Sequence, residues 1–295
     1  ENLMKILITG SEGFVGQETI KNYIKRYEIE MCEFRDNGYD ILRYDLMKGF
    51  DIRDIEQLLS VCQEFKPDRI LHLAAIARFA DADKDPKLAF ETNVLGTKNV
   101  AKVCKELHIP LVYASTGSIY MPITEAPPIT EEFEGKGNSV YGCTKYMGEL
   151  YVKECTHIIL RYAHLYGREK RMHGLIGGFL DRINRGLAPT LYGGKQSNDF
   201  TYVKDVARAN ILALEAPWDK WNQAYNIGTG EELSAEKAGE IVCEFAHYEG
   251  EVEIKEQRTV DPQRFVFDVS KAKVMLGFEA EYDFKRGLED MWSTG

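Results

Sequence analysis

The chain has 295 residues, 44% of them hydrophobic, and a formal net charge of -10. That length and apolar content support one large domain or two unequal lobes around a real core. The acidic balance disfavours nucleic acid and anionic membranes as partners. No window approaches a membrane-spanning apolar run and no signal-peptide pattern opens the chain, so the expected setting is cytoplasmic.

Short apolar runs alternate with amphipathic stretches through the first half. Residues 5–9 read as a strand, 13–27 as a helix, 40–44 as a strand and 55–64 as a helix. Then come a strand at 69–73, one long helix at 85–107, a strand at 110–115, a helix at 139–154 and a strand at 157–161. Apolar runs separated by helices predict a buried parallel sheet. The expected fold is α/β, a Rossmann-type doubly wound sheet that binds ligands at the carboxyl ends of its strands. Beyond Gly167 the pattern becomes irregular. Residues 1–166 are read as a dinucleotide-binding domain, with 199–228 returning to it. Residues 167–198 and 229–295 are read as a smaller, discontinuous substrate lobe, and the cleft between the two as the substrate site. Six scattered cysteines form no Cys-x-x-Cys pair and the six histidines show no zinc-ligand spacing, so reduced thiols and no metal site are expected.

The run ITGSEGFVG at 8–16 sets a strand end, a three-glycine turn and a helix start in succession. Glycines there let the backbone approach a pyrophosphate, and a helix N-terminus favours an anion. Gly10, Gly13 and Gly16, with Phe14 and Val15 between them, are read as a dinucleotide turn. Such a site needs a carboxylate after the second strand to accept hydrogen bonds from the adenosine ribose, which favours NAD over NADP. Asp45, closing the run 41–44, fills that role, although it lies roughly ten residues beyond the usual spacing of about 20. A rival register makes 30–34 the strand and brings Arg35 and Asp36 to the ribose, where an arginine suits the 2′-phosphate of NADP. Asp51 and Ile52 read either as the acidic start of a helix or as a contact near the adenine.

YGCTK at 141–145 puts Tyr141 and Lys145 one turn apart on one helix face. A free tyrosine, with a pKa of about 10, is a poor base at neutral pH. A nearby ammonium lowers that pKa, and the same lysine can hold the nicotinamide ribose. STGSIY at 115–120 supplies a third group, the Thr116 hydroxyl, able to donate to a reacting oxygen. Each feature alone is common, since Ser and Thr favour turns anyway. Their combination with the glycine turn points to a dinucleotide-dependent redox enzyme.

Together these stretches resemble the extended short-chain dehydrogenase/reductases of the NAD-dependent epimerase/dehydratase family. The similarity spans nearly the whole chain, adding HLAA at 72–75, ETNVLGT at 91–97, LRYAHLYG at 160–167, DFTYVKDVA at 199–207, YNIGTGEELS at 225–234 and DVSKAKVMLGF at 268–278. It implies that Tyr141 is the base, Lys145 its partner and Thr116 the hydroxyl that aligns the sugar oxygen. It implies that the three glycines take the pyrophosphate and Asp45 the ribose of NAD, and that Leu73, Ala74 and Ala75 line the cofactor channel. Asn93 would support the strand ends near the nicotinamide, Ser115 would lie along the cofactor, and Tyr162 and Ala163 lie where family members contact the carboxamide or the substrate. The resemblance also implies a nucleotide-sugar substrate and a homodimer formed through two helices of each chain, here 86–107 and 139–154.

The chain departs from the family pattern in places. Where family dehydratases carry an acidic pair after the catalytic Thr stand Gly117 and Ser118, which disfavours elimination of water. His164 replaces a common Asn, and Asn198 replaces an arginine that usually meets the nucleotide phosphates. Arg258 matches another phosphate-contacting arginine; Arg168, Arg171, Lys195 and Arg264 offer further charge, and Arg78 follows the HLAA strand toward the cleft. The leading expectation is an NAD-dependent epimerase acting on a nucleotide-activated sugar through transient oxidation to a keto-sugar. The alternatives are an NAD(P)-dependent dehydrogenase or reductase of a keto-sugar with exchangeable cofactor, favoured by the compact span from Asp45 to Asp51, and a non-catalytic dinucleotide-sensing protein, which intact Tyr141 and Lys145 oppose.

Overall fold

A computed structural model describes residues 4–27, 41–123, 127–168, 174–256 and 263–293. The first half runs β1 (Ile6–Thr9), α1 (Phe14–Arg26), β2 (Ile41–Tyr44), α2 (Ile55–Phe65), β3 (Arg69–His72), α3 (Phe79–Lys84), α4 (Pro86–Phe90), α5 (Thr97–Leu107), β4 (Leu111–Thr116), α6 (Val140–Val152) and β5 (His157–Tyr162). The second half runs β6 (His164–Tyr166), α7 (Gly174–Asn184), β7 (Thr190–Tyr192), β8 (Ser197–Asn198), β9 (Phe200–Tyr202), α8 (Val203–Leu214), β10 (Gln223–Ile227), β11 (Leu233–Ser234), α9 (Ala235–Phe245), β12 (Glu253–Lys255), β13 (Arg264–Phe265), α10 (Ser270–Leu276) and α11 (Phe284–Ser293). The elements expected in the first half fall within a few residues of these bounds, except that the long helix at 85–107 is interrupted. A π-helical turn at Glu91–Gly96 separates α4 from α5. Such a bulge re-aims side chains at functional sites, and here it carries the buried Asn93. Residues 28–40, with the rival register and Arg35, lie outside the described residues.

Six parallel strands form the central sheet in the order β10-β5-β4-β3-β1-β2. The order reverses between β1 and β3, the place where doubly wound sheets open their ligand crevice. Strand alternation explains why both faces are covered. Ile6 and Ile8 of β1, Val112 of β4 and Ile158 and Leu160 of β5 face one core, shared with Val206, Ala209 and Ile211 of α8. Leu7, Tyr113 and Ile159 face the other, shared with Leu58 of α2 and Val100 and Cys104 of α5. Each such buried aliphatic side chain contributes about 1.5–3 kcal/mol. The register brings Thr9, Tyr44 and His72 level at one end and Thr116, Tyr162 and Ile227 level beside them, so the carboxyl ends make a continuous edge.

Three small sheets (β11-β8-β13, β12-β7 and β6-β9) and helices α7, α9 and α11 surround a third core built on Phe179, Tyr202, Ile241 and Leu288. A fourth cluster, with Ile119, Tyr120, Phe265 and Phe267, lies just past the end of β4. Among the described residues no helix is long and apolar enough to cross a membrane.

Candidate active site

The glycine turn sits at the switch point. Gly10 has φ +70°, and a Cβ there would lie 2.6 Å from the Ala74 nitrogen, so only glycine lets the turn close against the tail of β3. At Gly16 a Cβ would lie 2.5 Å from the Gly10 carbonyl and 2.8 Å from that of Ser11, which packs α1 tightly onto the turn. Gly13 is the N-cap of α1 and no side chain hydrogen-bonds there, so the positive end of the helix dipole is left uncovered. Ser11 Oγ is buried in the same turn without a hydrogen-bond partner among the described residues. An orphaned hydroxyl, an uncapped helix start and a backbone bare of side chains suit a pyrophosphate.

Asp45 closes β2 and its carboxylate reaches the turn. Oδ2 accepts from Glu12 N at 3.0 Å and Oδ1 from Met47 N at 2.9 Å. Next to it, Arg43 pairs with Glu12 at 3.4 Å, a charge beside the glycine turn that the motifs do not announce. Asp51 is turned toward Arg53, whose Nη2 donates to Oδ2 at 2.6 Å; that guanidinium holds the Asp51 carboxyl below its usual range. Ile52 is buried at the foot of Gly96. Leu73 and Ala74 donate their backbone N–H groups to Thr9 Oγ1 at 3.2 Å each, which fixes the segment that Ala75 continues against the end of β1. Asn93 is fully buried; it accepts from Ile76 N at 2.8 Å and donates to Ile76 O and to Thr144 Oγ1, tying the tail of β3 to α6.

Helix α6 is started by Ser139, whose Oγ accepts from Gly142 N at 3.0 Å, a cap worth about 1 kcal/mol. The cap places Tyr141 in the first turn and Lys145 one turn on. Tyr141 keeps part of its surface open to the cleft, with Phe79 edge-on at 5.4 Å, and Thr116 at the end of β4 favours its phenolate. Thr116 Oγ1 also donates to Ser118 Oγ at 3.2 Å. Crowding desolvates the Tyr141 phenolate and pushes the phenol up to about 12, against the lowering by Thr116. Lys145 is 3% exposed, and its ammonium lies 4.1 Å from the centre of the Tyr113 ring. Burial pushes it down to about 7, opposed by the Glu149 carboxylate. The lowering of Tyr141 expected from Lys145 does not prevail: burial dominates, and the opposing influence comes from Thr116.

Two residues assigned to the cofactor point elsewhere, for reasons of strand parity. Ser115 shares the face of Tyr113 and donates to Glu149 Oε1 at 2.6 Å. Tyr162 shares the opposite face with Leu160, and its hydroxyl donates to Asn210 Oδ1 on α8 at 2.5 Å. Neither hydroxyl is turned toward the glycine loop. Gly117 has no room for a side chain, because a Cβ would collide with the Phe265 ring and sit 2.7 Å from Phe267. His164 is exposed beside Phe265 and Phe200, with ring centres 5.5 and 6.2 Å away, and Asn198 lies level with Phe265 across β8 and β13. Arg78 caps the start of α3, and Lys195 is exposed. Arg264 is bound by Glu232 through Nε at 2.7 Å and Nη2 at 2.5 Å, so its charge is neutralised. Arg258 and Arg171 lie outside the described residues.

Two aspartates of the DFTYVKDVA motif hold loops by backbone hydrogen bonds. Asp199 is fully buried and accepts from Thr229 N, Thr229 Oγ1 and Gly230 N at 2.8–3.0 Å, holding the loop that follows β10. Asp205 accepts from Glu281 N and Tyr282 N at 2.9 and 3.0 Å and anchors the segment before α11.

A doubly wound sheet with a glycine turn at its switch point and a Tyr, Lys and Thr group at the end of the fourth strand defines a short-chain dehydrogenase/reductase type of fold and site. The model of the NAD dependent epimerase/dehydratase family matches residues 6–228, and the chain belongs to that family. A putative UDP-glucose 4-epimerase of Methanocaldococcus jannaschii is 31% identical over 96% of each chain. The UDP-glucose 4-epimerase of Thermotoga maritima, solved with UDP-glucose, superposes with a TM-score of 0.86 at 27% identity over 98% of both chains. The Thermus thermophilus UDP-glucose 4-epimerase, solved with NAD, gives 0.83 at 28% identity, again over 98% of both.

Proposed function

We propose that the protein is an NAD-dependent epimerase that inverts a hydroxyl-bearing carbon of a UDP-sugar, with UDP-glucose and its carbon 4 the first substrate and position to test. The observation that carries this reading is the convergence of Tyr141, the buried Lys145 one helical turn on, and Thr116 at the carboxyl edge of β4, which favours the Tyr141 phenolate. The cofactor residues fit: Gly10, Gly13 and Gly16 present backbone to the pyrophosphate, and Asp45 faces the ribose. NAD, when bound, supplies the hydride acceptor and a positive charge. Tyr141 takes the proton of the sugar hydroxyl and returns it after the keto-sugar has turned over. Thr116 donates to the same oxygen as charge develops on it. Lys145 favours the phenolate by its charge and holds the nicotinamide ribose.

Water elimination is not part of this chemistry. Gly117 and Ser118 carry no carboxyl group, and the space beside Gly117 is filled by aromatic rings. The sugar is assigned to the cleft between the sheet edge and the lobe formed by 167–198 and 229–295, beside His164 and Asn198. Phe90 and Leu95, before and within the π-helical turn, and Met147 and Leu150 on α6 are 37–48% exposed; these apolar groups support pairing of two chains through those helices.

The test is direct. The purified protein is incubated with UDP-glucose, and the sugar nucleotide is resolved by proton NMR, while a denatured sample is analysed for released nucleotide. Formation of UDP-galactose with near-stoichiometric NAD is expected. An empty site with net consumption of added NADH or NADPH on a keto-sugar would replace the epimerase by a reductase.

A further inference from the structure

Glu149 plays no part in the chemistry above, yet it lies on the helix of Tyr141 and Lys145 and bonds the residue next to Thr116. It is 1% exposed on α6, one turn beyond Lys145 and two beyond Tyr141. Its Oε1 accepts from Ser115 Oγ at 2.6 Å and from Arg161 Nε at 3.1 Å, and its Oε2 accepts from Arg161 Nη2 at 2.8 Å. Ser115 is the residue before Thr116. One carboxylate thus joins the strand end that carries Thr116 to the helix that carries Tyr141 and Lys145. Arg161 extends the bridge: Nη1 donates to Tyr120 OH at 2.8 Å and to Glu131 O at 3.1 Å. Tyr120 donates to Asn226 Oδ1 at 2.7 Å, and Asn226 N donates to Glu131 Oε1 at 2.7 Å.

A buried ion pair is a poor source of net stability, because desolvation offsets the attraction, whereas its fixed hydrogen-bond geometry specifies position. We propose that Glu149 is a positioning residue for the reaction, holding the Thr116 end of β4 and the Tyr141–Lys145 face of α6 in one fixed relation through Ser115 and Arg161. Its charge has a second effect. Lys145 is faced by Tyr113 from β4, by His72 from β3 and by Glu149 from its own helix, with Arg161 of β5 behind Glu149 and Tyr141 one turn before it. Asn93 of the π-helical turn bonds Thr144, and Thr97 of α5 lies 2.9 Å from His72 Nε2; both are uncharged. Burial keeps His72 neutral, pushed down to about 3, and raises the Tyr113 phenol. Of these groups Glu149 is the anion that favours the Lys145 ammonium.

This inference rests on the epimerase reading, so its test has one arm that needs no turnover. Ser115→Ala removes one hydrogen bond and leaves the ion pair intact. Glu149→Gln combined with Arg161→Met removes both charges together and leaves no unpaired ion in the core. Ser115→Ala is expected to lower kcat about tenfold with KM within twofold of wild type. The double variant is expected to lower kcat at least a hundredfold. In nitrogen-labelled, nucleotide-free protein it is also expected to move the NMR titration midpoint of Lys145 at least one pH unit lower. A wild-type protein that does not turn over UDP-glucose removes the substrate reading and leaves the titration to decide. A Lys145 midpoint that stays in place, or variants whose kcat falls only as far as their folded fraction does, would overturn the proposal.

Discussion

Replacing Lys145 by Met removes an ammonium and keeps an unbranched chain of similar length against the Tyr113 ring, 4.1 Å from the present charge. Burial holds the folded-state pKa of this lysine at about 7 against 10.5 for the free side chain. Its folded pKa is therefore depressed, and the folded protein binds fewer protons than the unfolded chain between those two values. Stability of the wild type accordingly rises with pH across that window, and the full penalty is present below about pH 7. At roughly 1.4 kcal/mol per pKa unit the penalty is about 5 kcal/mol at pH 6, shrinking to about 2 kcal/mol at pH 9. Lys145→Met escapes it at every pH. Urea unfolding of the two proteins at pH 6, 7.5 and 9 reads the term, because groups remote from Lys145 cancel in the difference. Of the neighbours it faces, His72 is neutral in the folded and largely so in the unfolded chain from pH 7.5 to 9, and carboxyl groups such as that of Glu149 ordinarily ionise far below that range. The variant should be the more stable protein at pH 6, by several kcal/mol, and its advantage should narrow by about 3 kcal/mol at pH 9. Its turnover should fall by about a thousandfold. A stability difference that does not change with pH, or a variant less stable than wild type at pH 6, would refute the reasoning.

Tyr141→Phe should keep its fold and bound NAD while kcat drops by about a thousandfold, measured as UDP-galactose formed from UDP-glucose; a loss below tenfold would remove Tyr141 as the base. Gly16→Ala forces a methyl group to within 2.5 Å of the Gly10 carbonyl, so denaturant unfolding should show a loss of about 2 kcal/mol or more and the protein should no longer retain NAD. Asp45→Asn should weaken NAD binding about tenfold and shift the preference toward NADP, read by equilibrium titration with each nucleotide; unchanged selectivity would move the ribose contact to another residue.

The sheet was legible because its strands carry near-continuous apolar runs and its helices a regular stripe, so Ile6–Thr9 and Leu111–Thr116 announce themselves. The glycine turn was legible for a related reason: Gly10 and Gly16 stand where a side chain would strike backbone. What sequence could not supply was the direction of side chains at the strand ends. Ser115 and Tyr162 stand in motifs around the site, yet alternation along β4 and β5 sends their hydroxyls into opposite layers, to Glu149 and Asn210. The π-helical turn at Glu91–Gly96 was hidden inside a run of helical composition, since the residues of a widened turn carry no signature of their own. The balance of charges was hidden as well. Tyr141 and Lys145 at helical spacing suggest mutual stabilisation, but spacing says nothing about burial, and burial dominates both groups.

The choice between inverting a carbon and eliminating water is written in packing as much as in functional groups. From sequence, Gly117 and Ser118 argue against a dehydratase simply because neither is an acid. The fold adds a steric reason. Phe265 and Phe267 arrive from beyond β8, nearly 150 residues later in the chain, and fill the space over Gly117 in a cluster with Tyr120 and Ile119. A carboxylate at 117 would have to displace an aromatic ring that is 2% exposed, and it would carry an unpaired charge into an apolar cluster. Acquiring the acid thus requires coordinated changes at both ends of the chain. Phe265 also stands edge-on to His164, and the groups that remain at the end of β4 are the hydroxyls of Thr116 and Ser118, bonded to each other at 3.2 Å, neither of them an acid.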